Sequence, residues 1–370
     1  MTRPLGLYLH VPFCAGKCPY CDFYSLPAGP EAMDAYTSRL EALLAQYGAA
    51  CARPLRTVYF GGGTPSLLGE KRLARLLEEI ARRFSLEPGA EITCEANPTW
   101  VDRPFFAALR RAGFNRLSMG LQSANEGELR LLGRAHGPQD ARHAVEAARA
   151  GGFGNLSLDL MLGLPDSSEE TLGQSIAFAA ELEPEHISAY LLKIEPGTDF
   201  AARDLALPNE DQEADQYLFC VRELEARGYG QYEISNFARP GRESRHNLLY
   251  WRDEEYLGLG PAAHSFYEGR RFYWPRDLAG FLAGSRPVED GPGGSLEEYA
   301  MLALRLREGL GRAGLRERFG ERGEEAFQKV LANGARCPAR LLRRLPEALA
   351  LTPEGFLASN AVTARLLEGL

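Results

Sequence analysis

Between residues 5 and 194, short runs of apolar, β-branched or aromatic residues alternate with longer stretches of helical periodicity. The short runs are LGLYLHV (5–11), RTVYFGGG (56–63), AEITCEA (90–96), RLSMGLQS (116–123), LSLDLMLGLP (156–165) and HISAYLLKI (186–194). Helical spacing marks segments near 31–50, 69–84, 102–112, 125–150, 168–182 and 210–228. Around the second of these, Leu68, Leu73, Leu76, Leu77, Ile80 and Phe84 recur at the interval that gathers them on one helix face. Six strands joined by crossovers too long for hairpins predict an α/β fold with a parallel sheet. That sheet is doubly wound, or it closes into a complete or partial barrel.

The polar and glycine-rich residues fall at the C-terminal ends of these strands. A cysteine loop follows the first, GGGTPS follows the second, and Glu95, Gln122 and Asp159 mark the third, fourth and fifth. Sites in parallel α/β folds sit on that edge, so five strands point functional-looking groups at one rim.

The alternation breaks near residue 229. The following stretch mixes aromatic, polar and glycine residues, and reads as a loop-rich excursion over the mouth or edge. SRPVEDGPGG (285–294) reads as a linker before a last piece that is mostly helical, with a short strand-like ALALT at 348–352. The expected division is 1–240 for the strand–helix repeats, 241–290 for the extension and linker, and 291–370 for the C-terminal domain.

Composition narrows the function classes. A chain of 370 residues suggests about two domains and buries a sizeable core. The net charge of −8 argues against a general nucleic-acid or membrane-surface role, although residues 300–345 hold eleven Lys/Arg against five Glu. Seven cysteines without regular spacing are not a secreted disulfide framework. No signal peptide and no apolar run long enough to cross a membrane are visible, so the expected compartment is the reducing cytoplasm. Cys51, Cys94, Cys220 and Cys337 lie apart and read as buried hydrophobes.

The exception is HVPFCAGKCPYCDFY (10–24), where Cys14, Cys18 and Cys21 are spaced C-x3-C-x2-C. Three thiolates on one tight loop can hold three irons of a [4Fe–4S] cube and leave the fourth open to a ligand. The alternatives are a zinc site completed by a distant His or Cys, or three unrelated buried cysteines.

CAGKCPYC resembles the radical-SAM signature, in which S-adenosylmethionine chelates the fourth iron. YLHVPFCAGKCPYCDF, YFGGGTPSLL, CEANP, RLSMGLQS, DLMLGLP and YEISNFARPG are similar to the branch that contains oxygen-independent coproporphyrinogen oxidases and the HemW-type haem chaperones. The resemblance covers nearly the whole chain. It implies a partial (βα)6 barrel with a small C-terminal, mainly helical, winged-helix-like domain.

It also implies roles for single residues. Cys14, Cys18 and Cys21 are the metal ligands. Tyr8 contacts S-adenosylmethionine, and Tyr20 lies against its adenine. Gly62, Gly63 and Thr64 receive the methionyl amine, on a loop whose glycines let backbone approach a ligand closely. Glu95 meets the sugar or the methionyl part, and Gln122, Arg134 and Asp159 match a polar set that serves a second S-adenosylmethionine in the oxidase.

Two positions separate the relatives. The oxidase carries a further cysteine two residues after the third, where this chain has Phe23. HNLLYW (246–251) matches an H-N-x-x-Y-W element associated with haem in the chaperones. Its His246 is a candidate axial ligand, with Tyr250 and Trp251 against the porphyrin face. His264 could reach the site but reads first as a satisfied structural histidine. The resemblance therefore implies a haem chaperone that holds a [4Fe–4S] cluster and S-adenosylmethionine. It would deliver haem to membrane proteins such as respiratory enzymes and touch the membrane only through a partner. The alternative is an oxidase that converts propionate side chains to vinyl groups by radical decarboxylation.

Overall fold

The computed structural model describes residues 4–370. Six parallel strands run through the first part: β1 (Leu5–Val11), β2 (Leu55–Gly62), β3 (Leu86–Ala96), β4 (Arg116–Gln122), β5 (Leu156–Leu162) and β6 (His186–Leu191). The helices between and after them are α1 (Pro30–Ala50), α2 (Gly69–Arg83), α3 (Arg103–Ala112), α4 (Glu126–Leu131), α5 (Pro138–Ala150), α6 (Glu169–Glu181) and α7 (Glu210–Ala226). Along each strand the side chains alternate in character. Leu5, Leu7, Leu9 and Val11 of β1 are fully buried in the core that also holds Leu40, Leu43 and Leu44 of α1, while Gly6, Tyr8 and His10 take the other face. The same alternation sets Glu91, Thr93 and Glu95 against Ile92, Cys94 and Ala96 in β3, and Ser157 and Asp159 against Leu156, Leu158 and Leu160 in β5. Apolar residues face the helices, and the polar set shares the lumen of an open barrel.

The helix expected over 125–150 is two helices. Gly133, at φ +68°, ends α4, and Gly137–Pro138 starts α5, so Arg134 lies in the turn between them.

Beyond residue 229 the chain is not the loop-rich excursion its composition suggested. A hairpin of β7 (Gly230–Glu233) and β8 (Asn236–Ala238) joins the sheet beside β6. A short helix, α8 (Arg245–Trp251), follows, and β9 (Tyr256–Leu259) then pairs in parallel with β1. β10 (His264–Tyr267) and β11 (Arg270–Tyr273) continue outward, α9 (Leu278–Leu282) packs against α1 through Phe281 on Tyr36, and β12 (Val288–Pro292) forms the edge. The stretch expected to be a linker therefore carries a strand. Its glycines and proline suit an exposed edge, where no further ladder has to be donated to. The twelve strands follow one another from β12 to β7 without closing, which is a partial barrel.

α8 fills the N-terminal end of the lumen. The N–H groups of Arg245 and His246 donate to Glu91 at 3.2 and 3.0 Å, and a Cβ on Gly6 would stand 2.5 Å from Leu249. The C-terminal part consists of α10 (Leu296–Ala303), α11 (Arg312–Gly334), α12 (Pro353–Leu357) and α13 (Ser359–Leu366). A three-stranded sheet of β13 (Leu310–Gly311), β14 (Leu342–Leu345) and β15 (Ala348–Leu351), ordered β13-β15-β14, lies among them. This is the mainly helical domain expected, with ALALT supplying its central strand. Among the described residues, no helix is long and apolar enough to cross a membrane.

Candidate functional site

The three cysteines occupy the loop between β1 and α1. The loop is pinned where it starts, because Cys14 N–H donates to Leu26 O at 3.1 Å, and it turns tightly, with Cys21 N–H donating to Cys18 O at 3.1 Å. All three thiols are free and half-buried. They line a cavity of about 450 Å³ at the C-terminal ends of the strands, together with Tyr20, Gly62, Gly63, Thr64, Glu95, Gln122, Arg134 and Asp159. The structure thus brings eleven of the thirteen expected site residues to one cavity.

Tyr8 and His246 are the two it leaves out. The Tyr8 hydroxyl bonds Nδ1 of His10 at 3.0 Å, and its ring lies in a neighbouring cavity. His246 is 1% exposed at the opposite end of the lumen. Its Nδ1 pairs with the Thr57 hydroxyl at 2.7 Å, its Nε2 with the Tyr250 hydroxyl at 2.8 Å, and its ring stacks on Tyr59. Burial, with the nearby Arg116 charge, pushes it down to about 3, so it is neutral. Both of its nitrogens are engaged, and neither is presented to an iron.

The turn after β2 is shaped for close approach. Gly63 N–H donates to Val11 O at 2.8 Å and Thr64 N–H to Phe13 O at 2.7 Å, which ties the turn to the base of the cysteine loop. Gly62 has φ +110°, and a Cβ there would stand 2.6 Å from the His10 ring. The Thr64 hydroxyl lies 3.4 Å from Cys14 Sγ. Glu95 is held by two donors, the Tyr59 hydroxyl at 2.8 Å and Gly62 N–H at 3.1 Å. Burial raises it to about 7, assisted by the Asp159 charge and opposed by those donors. Asp159 is raised as well, again by burial, against hydroxyls of Ser188 and Ser118 and the Arg116 charge.

On the facing wall, Gln122 sits at φ +68°, a left-handed backbone uncommon outside glycine and a form of strain that collects at functional sites. Its amide oxygen accepts the Tyr190 hydroxyl at 3.0 Å. Arg134 donates to Gly120 O at 2.9 Å and reaches Cys18 Sγ at 3.9 Å, while its buried Nε has no partner among the described residues. Tyr20 packs beside Phe200.

This set fits a thiolate-bound cluster with an organic ligand beside it. A cube takes one thiolate per iron, so its ligands stand around a wall. Among the described residues no three or more His, Cys, Asp or Glu side chains gather on one point that would hold a single metal ion. The Arg134 guanidinium next to a thiolate is the outer-shell charge that an anionic cluster takes. Sequence reasoning missed Tyr190. Its signal was the alternation in HISAYLLKI, which gives Tyr190 the same face as Ser188 and His186.

The sequence pattern of the Radical SAM superfamily matches residues 8–179. The heme chaperone HemW of Mycobacterium tuberculosis (strain ATCC 25618 / H37Rv) is 41% identical, covering 99% of this chain and 95% of that protein. HemW of Escherichia coli K12 is 44% identical over 76% of each, and HemW of Bacillus subtilis 168 is 35% identical over 98% of this chain and 99% of its own. Among solved structures, coproporphyrinogen III oxidase (HemN) from Escherichia coli, described as a radical SAM enzyme, superposes with a TM-score of 0.85. It covers 100% of this chain and 91% of its own at 24% identity, a likeness of fold.

Proposed function

The chain belongs to the HemW family of haem chaperones within the radical SAM superfamily, and from that membership we propose that it is a haem carrier of the cytoplasm. It holds a [4Fe–4S] cluster on Cys14, Cys18 and Cys21, takes S-adenosylmethionine beside it, binds haem, and passes haem to membrane proteins such as respiratory enzymes. The observation that carries this reading is the convergence of three free thiols, the Gly62–Thr64 turn and a polar wall on one cavity, with Phe23 standing 65% exposed where the oxidases carry a cysteine.

When bound, such a cluster supplies an open iron to the amine and carboxylate of S-adenosylmethionine. The protein's own groups do the rest. Gly62 and Gly63 let the turn's backbone lie against the methionyl part without a Cβ in the way. Glu95, fixed by Tyr59 and Gly62, accepts hydrogen bonds from the ligand's amine or hydroxyls. Tyr20 offers its ring to the adenine. Arg134 offsets thiolate charge, and Gln122 and Asp159 take the remaining polar groups.

The test is transfer. Haem-loaded protein, mixed with membranes from haem-depleted cells, is expected to restore respiratory oxidase activity beyond what the same amount of free haem restores. Restoration no greater than with free haem contradicts the carrier role.

A further inference from the structure

Beside the cysteine cavity lies a larger one, about 750 Å³, and Phe23 lines both. One wall is the inward face of the strands that extend the barrel. The pairs His264–Tyr273 and Phe266–Arg271 across β10 and β11 put these four side chains on a common face. The opposite wall is the end of α8, with Tyr250 and Trp251, whose buried indole N–H has no partner among the described residues. The cavity has the volume of a small-molecule site and long aromatic walls. A haem needs such a space: a broad apolar slot for the ring, cations near the edge for its carboxylates, and a nitrogen for the iron.

Two histidines line this cavity. His10 is 5% exposed, and both of its nitrogens are engaged, with the Tyr8 hydroxyl and with Tyr24 O, each at 3.0 Å. His264 differs on every count. It is exposed, its ring stacks on Tyr273 with centroids 5.4 Å apart, and neither nitrogen takes a hydrogen bond from the described residues. Of the two readings its sequence allowed, reach into a site and a satisfied structural role, its place on the cavity wall supports the first. Partial burial holds its pKa below the ordinary imidazole value, with the Asp290 charge opposing and the Arg271 charge assisting, which favours the neutral ring that binds iron.

The charges also suit the cargo. Each carboxylate on the cavity wall is already paired: Asp22 with Arg276, Asp253 with Arg271 and Arg318, Glu254 with Arg56, and Glu298 with Arg271. Arg276, half exposed at the rim, can exchange its Asp22 partner for a propionate.

We propose that haem is carried in this second cavity, on the inward face of β9–β11 and next to the cluster across Phe23, with His264 as the protein nitrogen on its iron. The proposal rests on the haem-carrier reading and assigns its site. It also separates the two parts of HNLLYW: Tyr250 and Trp251 wall the cavity, while His246 is a lumen residue. Ligation is donation of the Nε2 or Nδ1 lone pair to iron, with no change of redox state.

The experiment is a hemin titration of the reconstituted, full-length protein, read by Soret absorbance. Wild-type protein is expected to give a histidine-ligated band. His264→Ala and His264→Gln are expected to weaken hemin binding at least tenfold or convert the band to a different ligation state. Added imidazole should restore the original band in His264→Ala. Because His264 is exposed, both variants should keep the wild-type far-ultraviolet circular dichroism and the cluster absorbance. If wild type binds hemin and both variants match it in band and affinity, the site assignment is overturned and the carrier reading stands. If wild type gives no haem band at all, the carrier reading itself fails.

Discussion

Glu95 accepts the backbone N–H of Gly62 at 3.1 Å, joining the end of the third strand to the turn after the second. The same carboxylate takes the Tyr59 hydroxyl on its other oxygen. The turn and the carboxylate are therefore positioned together before any ligand arrives, which is the preorganisation that a binding site needs.

This carboxylate has a stability signature. Its pKa is raised to about 7 in the folded chain, above the ordinary glutamate value of about 4.3, so the folded state holds the proton more tightly. Its favourable contribution is complete below the unfolded pKa and is lost as pH rises toward 7. Solvent reaches Glu95 through the cavity, so the loss is about 2 kcal/mol rather than the full value of the shift. Glu95→Gln is expected to be more stable than wild type at pH 8 and no more stable at pH 4.5, in denaturant unfolding of the cluster-free protein. A difference that does not change with pH contradicts the assignment.

Gly62→Ala places a methyl 2.6 Å from the His10 ring at a backbone φ of +110°. The strain costs about 3 kcal/mol and pushes the turn off Phe13 and Val11. The variant is expected to keep its iron and lose the change in the reduced cluster spectrum that S-adenosylmethionine produces. An unchanged spectral response would show that the turn does not receive the ligand.

Replacing Cys14, Cys18 and Cys21 together by Ala is expected to remove all of the roughly four irons per chain that anaerobic reconstitution should supply. Far-ultraviolet circular dichroism should persist, because the core of this long chain does not depend on the loop. Iron–sulfur absorption retained in the triple variant sinks the cluster assignment.

His246→Ala tests the separation of HNLLYW. The side chain is buried, bridges Thr57 and Tyr250, and stacks on Tyr59, so its removal is expected to cost about 2–4 kcal/mol of folding stability. The Soret position of bound haem should not move. A loss below about 1 kcal/mol with a shifted Soret band would instead make His246 a ligand.

Much of this arrangement was legible in the sequence. The six strands and the rim carrying Cys14, Gly62, Glu95, Gln122 and Asp159 follow from apolar runs and from the rule that parallel strands expose their C-terminal ends. The parts that were not legible share a cause. Strands β7 to β12 are three to five residues long and depend on pairing with β6 and β1, which local composition does not announce. The sequence casts His246 as the haem ligand and His264 as structural, and the structure places them differently. What separates them is that Glu91 receives the N-terminus of α8 and draws His246 into the lumen, while the β10–β11 register sets His264 on the wall of the second cavity. Tyr8 was expected to contact S-adenosylmethionine through the family resemblance, and strand alternation pairs its hydroxyl with His10.

The most direct measurement gives the reconstituted protein, with S-adenosylmethionine and a low-potential reductant under anaerobic conditions, coproporphyrinogen in one vessel and haem in another. The account predicts a stable haem complex with a Soret band and no protoporphyrinogen or carbon dioxide from coproporphyrinogen. Turnover of coproporphyrinogen, in spite of Phe23, with no haem complex formed, would contradict it.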